Sequence, residues 1–354
     1  LDTWFDSGSM PYAQAHYPFE NKVQFEATFP AQFIAEGLDQ TRGWFYTLVV
    51  LSTALFDKAP FENVIVNGLV LAEDGSKMSK SKQNYPDPWL ILNSIGADAL
   101  RAYLISSPVV RAEPLRFSEA GVNDVVRTVL LPLQNALSFF VTYANLENGG
   151  AGWDPNVDLR KAPPVLERPE IDRWIISVLQ SLVREVNSQM EGYYLFKVIP
   201  PMLGFIDDLT NWYIRSSRRR FWRSEADADK ASAYATLYEV LVTFAQLLAP
   251  VMPFMSERIY QRLVAELKCP GAALSVHLCD YPQVETKHID AEIEASMAAV
   301  RSVVTLGRAL REKHRLKTRQ PLRSVTIVSH EEGTRRRLEA HSALIADELN
   351  VKKV

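Results

Sequence analysis

Three lysines stand within six residues of one another in Asp74-Gly75-Ser76-Lys77-Met78-Ser79-Lys80-Ser81-Lys82. Lysine is a compact charge on a flexible stem and can follow charge that moves during phosphoryl chemistry. A loop of this kind suits charge building on a phosphate and on a departing pyrophosphate. On number alone, three lysines fit a solvated surface loop better; the order of the residues shifts that balance. A second group is Glu36-Gly37, followed by Asp39, Gln40 and Trp44. A carboxylate at a strand's carboxyl end can hold an ammonium group or a ribose hydroxyl. As an acid near a helix N-terminus it is equally favoured by the helix dipole, and the residues alone leave the two readings even.

Two basic stretches follow. Residues 211–223 carry five arginines and no acid. At helical pitch Trp212, Arg215, Arg219 and Trp222 fall on one stripe. Rings beside guanidinium groups suit unstacked single-stranded bases and their phosphates. The plainer alternative packs the aromatics inward, Tyr213 and Phe221 foremost, and leaves the arginines solvated or paired with Asp207 and Asp208. Residues 301–323 hold eight lysines or arginines (301, 308, 311, 313, 315, 317, 319 and 323) against Glu312 alone. Such a tract can follow a nucleic-acid backbone with marked salt sensitivity; a solvated helix face is the alternative. Cys269, His277, Cys279 and His288 are irregularly spaced and form no tight ligand pair, so free side chains and no metal site are expected.

These groups need elements to hold them. Gln32-Phe33-Ile34-Ala35 reads as a buried strand, residues 40–56 as a helix, and Val64-Ile65-Val66 as a second strand continuing through Asn67-Gly68 to Leu69-Val70-Leu71. Strand, helix, strand predicts a parallel pair with a right-handed crossover. Ligands of such sheets bind beyond the carboxyl ends of the strands, here Glu36-Gly37 and the loop of residues 72–84. Asp87-Pro88 opens a helix, and another runs from Ala97 to Ile105. From about 118 to 267 the pattern is helical: 122–146 kinked at Pro132, 171–190, 196–222 interrupted near Pro200-Pro201, 226–248, and a helix after Pro253. Residues 149–164 read as a loop and 281–287 as a linker. Residues 290–314 form a long helix with Asp290 as N-cap, and 324–329 a strand. The fold expected is an α/β Rossmann-like half domain (1–117), a mainly α-helical bundle (118–280) and a small α+β tail (281–354).

Lys plus Arg is 39 and Asp plus Glu 42, a formal net charge of −3, which excludes a generic polyanion coat but not a local basic patch. Hydrophobic residues at 47% and charged residues at 23% exclude a disordered chain. Two cysteines exclude a disulfide framework. The apolar run Trp44–Phe56 is too short to span a bilayer, and no signal peptide is read, so a soluble, cytoplasmic protein without a membrane partner is expected. The chain opens at Leu1 inside a dense aromatic and acidic run and is expected to be a piece of a longer polypeptide.

Lys77-Met78-Ser79-Lys80-Ser81 resembles, five for five, the signature loop of the class I aminoacyl-tRNA synthetases. With Leu1-Asp2-Thr3-Trp4-Phe5-Asp6-Ser7-Gly8-Ser9, Glu36-Gly37-Leu38-Asp39-Gln40-Thr41-Arg42-Gly43-Trp44-Phe45 and Asn84-Tyr85-Pro86-Asp87-Pro88, the chain is similar to the isoleucyl-tRNA synthetases from Leu1 to about Ser329. The resemblance implies that isoleucine and ATP, with its Mg²⁺, form isoleucyl-adenylate, and that the acyl group passes to tRNA(Ile). It implies that Lys80 contacts ATP and stabilises the activation transition state, with Lys77 assisting and Met78, Ser79 and Ser81 completing the ATP site. It implies an aminoacyl-adenylate site at Glu36, Gly37, Asp39, Gln40 and Trp44, and an anticodon-binding bundle with Trp212, Arg215, Arg219 and Trp222 toward tRNA. The family's His-Ile-Gly-His signature and its inserted editing domain do not occur in these residues. The resemblance places both upstream, in a missing N-terminal part of the same polypeptide, and this portion is expected to be inactive alone. A valyl-tRNA synthetase relative and a non-catalytic tRNA-binding module are the alternatives; Asn84-Tyr85-Pro86-Asp87-Pro88 and Ser9-Met10-Pro11-Tyr12 favour the isoleucyl branch.

Overall fold

The computed structural model describes every residue except Leu1, residues 80–83, 85 and 86, and residues 224–226. The expected roles of Lys80 and Ser81 therefore lie outside the described residues. The chain forms two compact units. The first takes the residues up to Asn135 with Glu185–Gly204 and Leu248–Arg258; the second takes Ala136–Arg184, Phe205–Leu247 and Ile259–Val354.

In the first unit, Asp2 caps helix α1 (Thr3–Gly8), its carboxylate accepting the Trp4 N–H at 2.9 Å. Strands β1 (Ala31–Gly37) and β2 (Phe61–Asn67) pair in parallel, Ala31 opposite Phe61 and Gly37 opposite Asn67. The helix between them is shorter than the sequence suggested. Leu38–Arg42 forms a 3₁₀ turn, and α2 (Trp44–Phe56) begins only at Trp44. Gln40 Oε1 accepts the Trp44 N–H at 3.1 Å and so satisfies one of the orphan donors at the helix start. Ile34 on β1 packs with Phe45 and Leu48 on α2, and Phe61 and Val66 of β2 close the cluster.

The strand expected over residues 64–71 breaks at Gly68. The Gly68 N–H turns aside to the Val109 carbonyl at 2.7 Å, and a Cβ at this position would stand 1.9 Å from the Glu113 carbonyl oxygen. Only glycine allows that approach. Strand β3 (Val70–Leu71) then pairs in parallel with β4 (Leu115–Arg116), in a sheet separate from β1 and β2. Asp87 caps α3 (Pro88–Ser94) by accepting the Trp89 N–H at 2.9 Å, with Pro88 in the first turn. Helix α4 (Ala97–Ile105) has the bounds expected, and Ile91, Ala99 and Val122 form a small core.

Helix α5 (Glu119–Ala144) carries a π turn at Val126–Leu130, just ahead of Pro132. Helices α6 (Glu170–Glu191) and α7 (Leu195–Asp207) follow. Helix α7 runs through Pro200 and Pro201 without interruption, although neither can supply an N–H to the ladder. The irregularity comes later, as a π segment at Asp208–Ile214 that leads into α8 (Arg215–Trp222). Helices α9 (Ala228–Leu248) and α10 (Pro253–Tyr260) complete the helical run. In the second unit Trp174, Phe205, Tyr213, Tyr234 and Phe244 are fully buried. Helices α5 and α9 are both long and apolar enough to cross a membrane by length and composition, unlike α2; 72% of the α9 window is buried inside the fold, which accounts for its apolarity.

Helix α11 (Ala291–Lys313) starts where expected, with Asp290 Oδ1 accepting the Glu292 and Ile293 N–H groups at 3.1 Å each. The strand expected over 324–329 does not form a ladder. Leu322 and Val351 make an isolated bridge, and the Val325 N–H reaches the Lys353 carbonyl at 3.0 Å. Two helices, α12 (Glu332–Ala340) and α13 (Ser342–Leu349), follow in place of strands and supply no sheet edge.

Candidate functional site

The β1 and β2 carboxyl ends are level, with Glu36 opposite Val66. Strand alternation puts Glu36 on the same face as buried Ile34, but at the open end, where its carboxylate is exposed. Asp39 is also exposed, while Gly37, Gln40 and Trp44 are half-buried. Gln40 Nε2 donates to Asp39 Oδ2 at 3.1 Å while its Oε1 caps α2, so one amide ties the acid to the helix start. The Trp44 indole N–H donates to the Ser7 carbonyl at 3.1 Å. Trp44 is thus fixed as a wall, whereas Glu36 and Asp39 present exposed carboxylates, that of Asp39 held by Gln40.

The lysine loop is held by its own backbone. The Ala72 N–H donates to the Ser76 carbonyl at 2.9 Å and the Gly75 N–H to the Ala72 carbonyl at 2.8 Å. Asp74 Oδ1 accepts the Ser76 N–H at 2.8 Å. Gly75 sits at φ 84°, the left-handed region that favours glycine. The turn brings Lys77 back into an antiparallel bridge with Leu71, at the end of β3, with its side chain exposed. Met78 and Ser79 are half-buried.

Asn84 organises this loop, a role the sequence reading did not assign. Its Oδ1 accepts the Ser79 N–H at 2.8 Å, and its Nδ2 donates to Ser76 Oγ at 2.9 Å and to the Lys77 carbonyl at 3.1 Å. An asparagine can bond main chain in both directions, and its place just after a lysine-rich loop was the available signal.

In the second unit the expected arginine stripe divides. Trp212 is only 5% exposed, with the Arg215 and Arg301 guanidinium groups 5.6 and 5.7 Å from its ring centre. Arg215 pairs with Glu348, which also takes Arg308 at 2.6 Å. Arg219 and Trp222 are exposed. The stripe fails because Trp212 lies in the π segment, whose wider turn departs from α-helical pitch. Arg220 turns inward instead: it binds Asp172 through two nitrogens at 2.8 and 2.6 Å, and Asp172 also accepts from Tyr213 Oη at 2.7 Å. Burial, with the Asp172 charge beside it, holds the Tyr213 hydroxyl protonated well above the ordinary tyrosine range. Asp207 and Asp208 pair with Arg301, not with the α8 arginines. Burial pushes the Asp208 carboxyl up to about 6; Arg301 opposes that shift and Asp207 adds to it.

The 301–323 tract also divides. Arg311 is buried and donates to the carbonyls of Lys317, Gln320, Leu349 and Asn350. Lys313, Arg315, Lys317, Arg319 and Arg323 are exposed. Cys269 Sγ lies 3.7 Å from Tyr238 Oη, and Cys279 Sγ 3.7 Å from the Ser275 carbonyl. Among the described residues no group of three or more histidines, cysteines or acids is placed to hold a metal ion.

Comparison with known proteins meets this geometry. Residues 1–116 match the family described as tRNA synthetases class I (I, L, M and V), and residues 172–327 that of the anticodon-binding domain of tRNA ligase. The whole chain is 54% identical to an isoleucine–tRNA ligase of Chlamydia trachomatis serovar L2b and 53% identical to one of Chlamydia pneumoniae. It spans 33% of the length of each. Among solved structures, the ternary complex of Agrobacterium radiobacter K84 LeuRS with tRNA and LeuAMS matches 82% of this chain and 34% of its own, with a TM-score of 0.60 and 20% identity. The Mycobacterium tuberculosis methionyl-tRNA synthetase in complex with methionyl-adenylate matches 79% and 55%, with a TM-score of 0.59 and 21% identity. At those identities the two structures speak for the fold alone.

Proposed function

We propose, for a chain that belongs to the class I tRNA synthetases, that it is the signature-loop and anticodon-binding portion of an isoleucine–tRNA ligase. The likeness to isoleucine–tRNA ligases along the entire chain, at 52–54% identity, carries the reading. The geometry supports it. Glu36 and Asp39 stand at the carboxyl end of a parallel strand, where an α-ammonium group or a ribose hydroxyl would be held. Gly37 gives the backbone room, while Gln40 and Trp44 shape the wall. Lys77 leaves the end of β3 on a turn that Asn84 fastens.

In the whole enzyme, the isoleucine carboxylate would attack the α-phosphate of ATP and pyrophosphate would leave. Lys80 and Lys77 then oppose the charge that builds on the departing phosphates, with Met78, Ser79 and Ser81 completing the loop around the nucleotide. Mg²⁺ would come with ATP as its counter-ion and would offset phosphate charge. The terminal ribose hydroxyl of tRNA(Ile) next takes the acyl group, while the helical unit holds the tRNA through Arg219, Trp222 and the outer lysines and arginines of 313–323. Trp212 and Arg215 serve that surface from beneath. The reaction belongs to the longer polypeptide, in the cytoplasm, with this portion supplying one part of its site. Lys80→Ala in the full-length ligase is expected to slow isoleucine-dependent pyrophosphate exchange by ~10²–10³, the loss typical of one stabilising donor. Exchange at the unaltered rate would discard the role given to the loop.

A further inference from the structure

The chain's two cysteines stand ten residues apart, both in the second unit and both unbridged. We propose that Cys269 and Cys279 form a reversible oxidation site, joined as a disulfide when a hydroperoxide reaches them. The proposal goes beyond the ligase reading and does not depend on it.

Two tyrosines gather the thiols. Cys269 Sγ lies 3.7 Å from Tyr238 Oη. The Tyr260 hydroxyl shares a hydrogen bond with the Cys279 thiol and stands within electrostatic reach of Cys269. The segment between the cysteines is pinned at its middle. Tyr260 Oη donates to the Ala273 carbonyl at 3.0 Å, and Gln261 Nε2 donates to the Leu274 carbonyl at 2.7 Å. A turn stands on each side of that pin: the Ala272 N–H donates to the Cys269 carbonyl at 3.0 Å, and the Cys279 N–H to the Val276 carbonyl at 3.2 Å. Gly271, at φ 75°, lets the first turn double back. The chain therefore leaves the neighbourhood of Tyr260 at Cys269 and returns to it at Cys279.

The place is open to a small oxidant. Both cysteines are half-buried, and between them Leu274 and Leu278 are 84% and 69% exposed. Burial, with the Cys279 hydrogen bond adding to it, pushes the Tyr260 hydroxyl up to about 12. Burial and the Cys269 hydrogen bond likewise hold Tyr238 well above the ordinary tyrosine range. Each sulfur thus keeps a neutral hydroxyl beside it at neutral pH. One thiolate attacks a peroxide oxygen, the O–O bond breaks, and the sulfur is oxidised to a sulfenic acid as water leaves. The second thiol attacks that sulfur, the S–O bond breaks, and the hydroxyl departs as water with the thiol proton. The two thiols together give up two electrons and two protons, and the peroxide is reduced to two waters. Closure draws the two turns in until the Cα atoms are roughly 5–6 Å apart. In a reducing compartment such a bond is transient and suits sensing better than structural support.

The test treats the full chain with hydrogen peroxide, alongside Cys269→Ser, Cys279→Ser and Tyr260→Phe, and follows the products by peptide mass mapping. No lysine or arginine lies between Cys269 and Thr286, so one tryptic peptide carries both cysteines. In the unaltered chain that peptide is expected to lose its two thiol hydrogens and to regain them with dithiothreitol. In either serine variant the remaining cysteine stops at the sulfenic acid, which dimedone traps. Tyr260→Phe keeps the ring and loses the hydroxyl; the bridge then forms roughly fivefold more slowly, the worth of about one hydrogen bond. Dimedone on both cysteines of the unaltered chain, bridges only between chains, or a rate untouched by Tyr260→Phe would each overturn the site.

Discussion

The two units cover their apolar residues unequally. In the helical unit, rings as large as Trp174, Tyr213 and Phe244 are sealed, and two buried arginines are matched: Asp172 takes Arg220 and Tyr213, and Arg168 binds Glu239 at 2.7 Å. In the α/β unit, one face of the strand pair rests on α2, while Phe33 and Val64 remain about half exposed. Tyr46, Val49 and Leu55 on α2 are exposed as well. Parallel sheets are ordinarily covered on both faces, and two strands alone give little independent stability. A self-sufficient core lies in the helices. The strand pair leaves an apolar surface open among the described residues.

The contrast can be tested inside the helical unit first, where neighbouring arginines do opposite jobs. Arg220→Ala leaves the Asp172 carboxylate buried without its partner and is expected to cost ~3–5 kcal/mol in urea unfolding. Arg219→Ala, one residue away, is expected to stay within ~0.5 kcal/mol while flattening the salt dependence of tRNA binding. Equal losses would erase the distinction between a folding arginine and a binding one.

Asp208 probes the same core through pH. Its folded pKa is raised to about 6, so between pH 4 and 6 the native protein holds a proton that the unfolded chain has released. The sign is that of a group favouring the folded state at low pH, with that contribution lost as pH rises through about 6. Asp208→Asn removes this titration. Relative to the variant, the unaltered protein should lose about 3 kcal/mol of stability from pH 4 to pH 7. Parallel stability curves would show the carboxyl to be ordinary.

The smallest effect is expected in the α/β unit. Asn84→Ala removes the acceptor for the Ser79 N–H, and amide exchange at Ser79 should quicken roughly fivefold, the worth of about one hydrogen bond, with global stability unchanged. Unchanged exchange would mean that the loop keeps its shape without the asparagine.

Elements set by local chemistry were legible in the sequence. The Asp290 cap, the Asp87-Pro88 helix start and helix α4 follow from neighbours in the chain, and the β1–β2 pairing from the strand–helix–strand order. The switch of sheets at Gly68 was not legible, because it depends on Glu113 far along the chain, and the apolar run from Val64 to Leu71 hides the change. Residues 324–329 have strand composition, but a strand also needs a partner edge. Within the sites, Glu36, Asp39 and Lys77 are exposed, and Asn84 was marked in the sequence only by its place just after the lysine-rich loop. Arg215 and Arg311 carry the same charge as the exposed arginines; only the distant Glu348 and the α13 carbonyls reveal that they serve the fold.

The wide-pitch segment Asp208–Ile214 acts as a phase setter for everything after it. Each residue advances an ordinary helix by about 100°, so excising a single position there would re-index α8. Arg220 would move to the outward position that Arg219 holds, and the Phe221 ring, not an arginine, would take the inward position facing Asp172. The segment's length therefore decides which basic side chains face water.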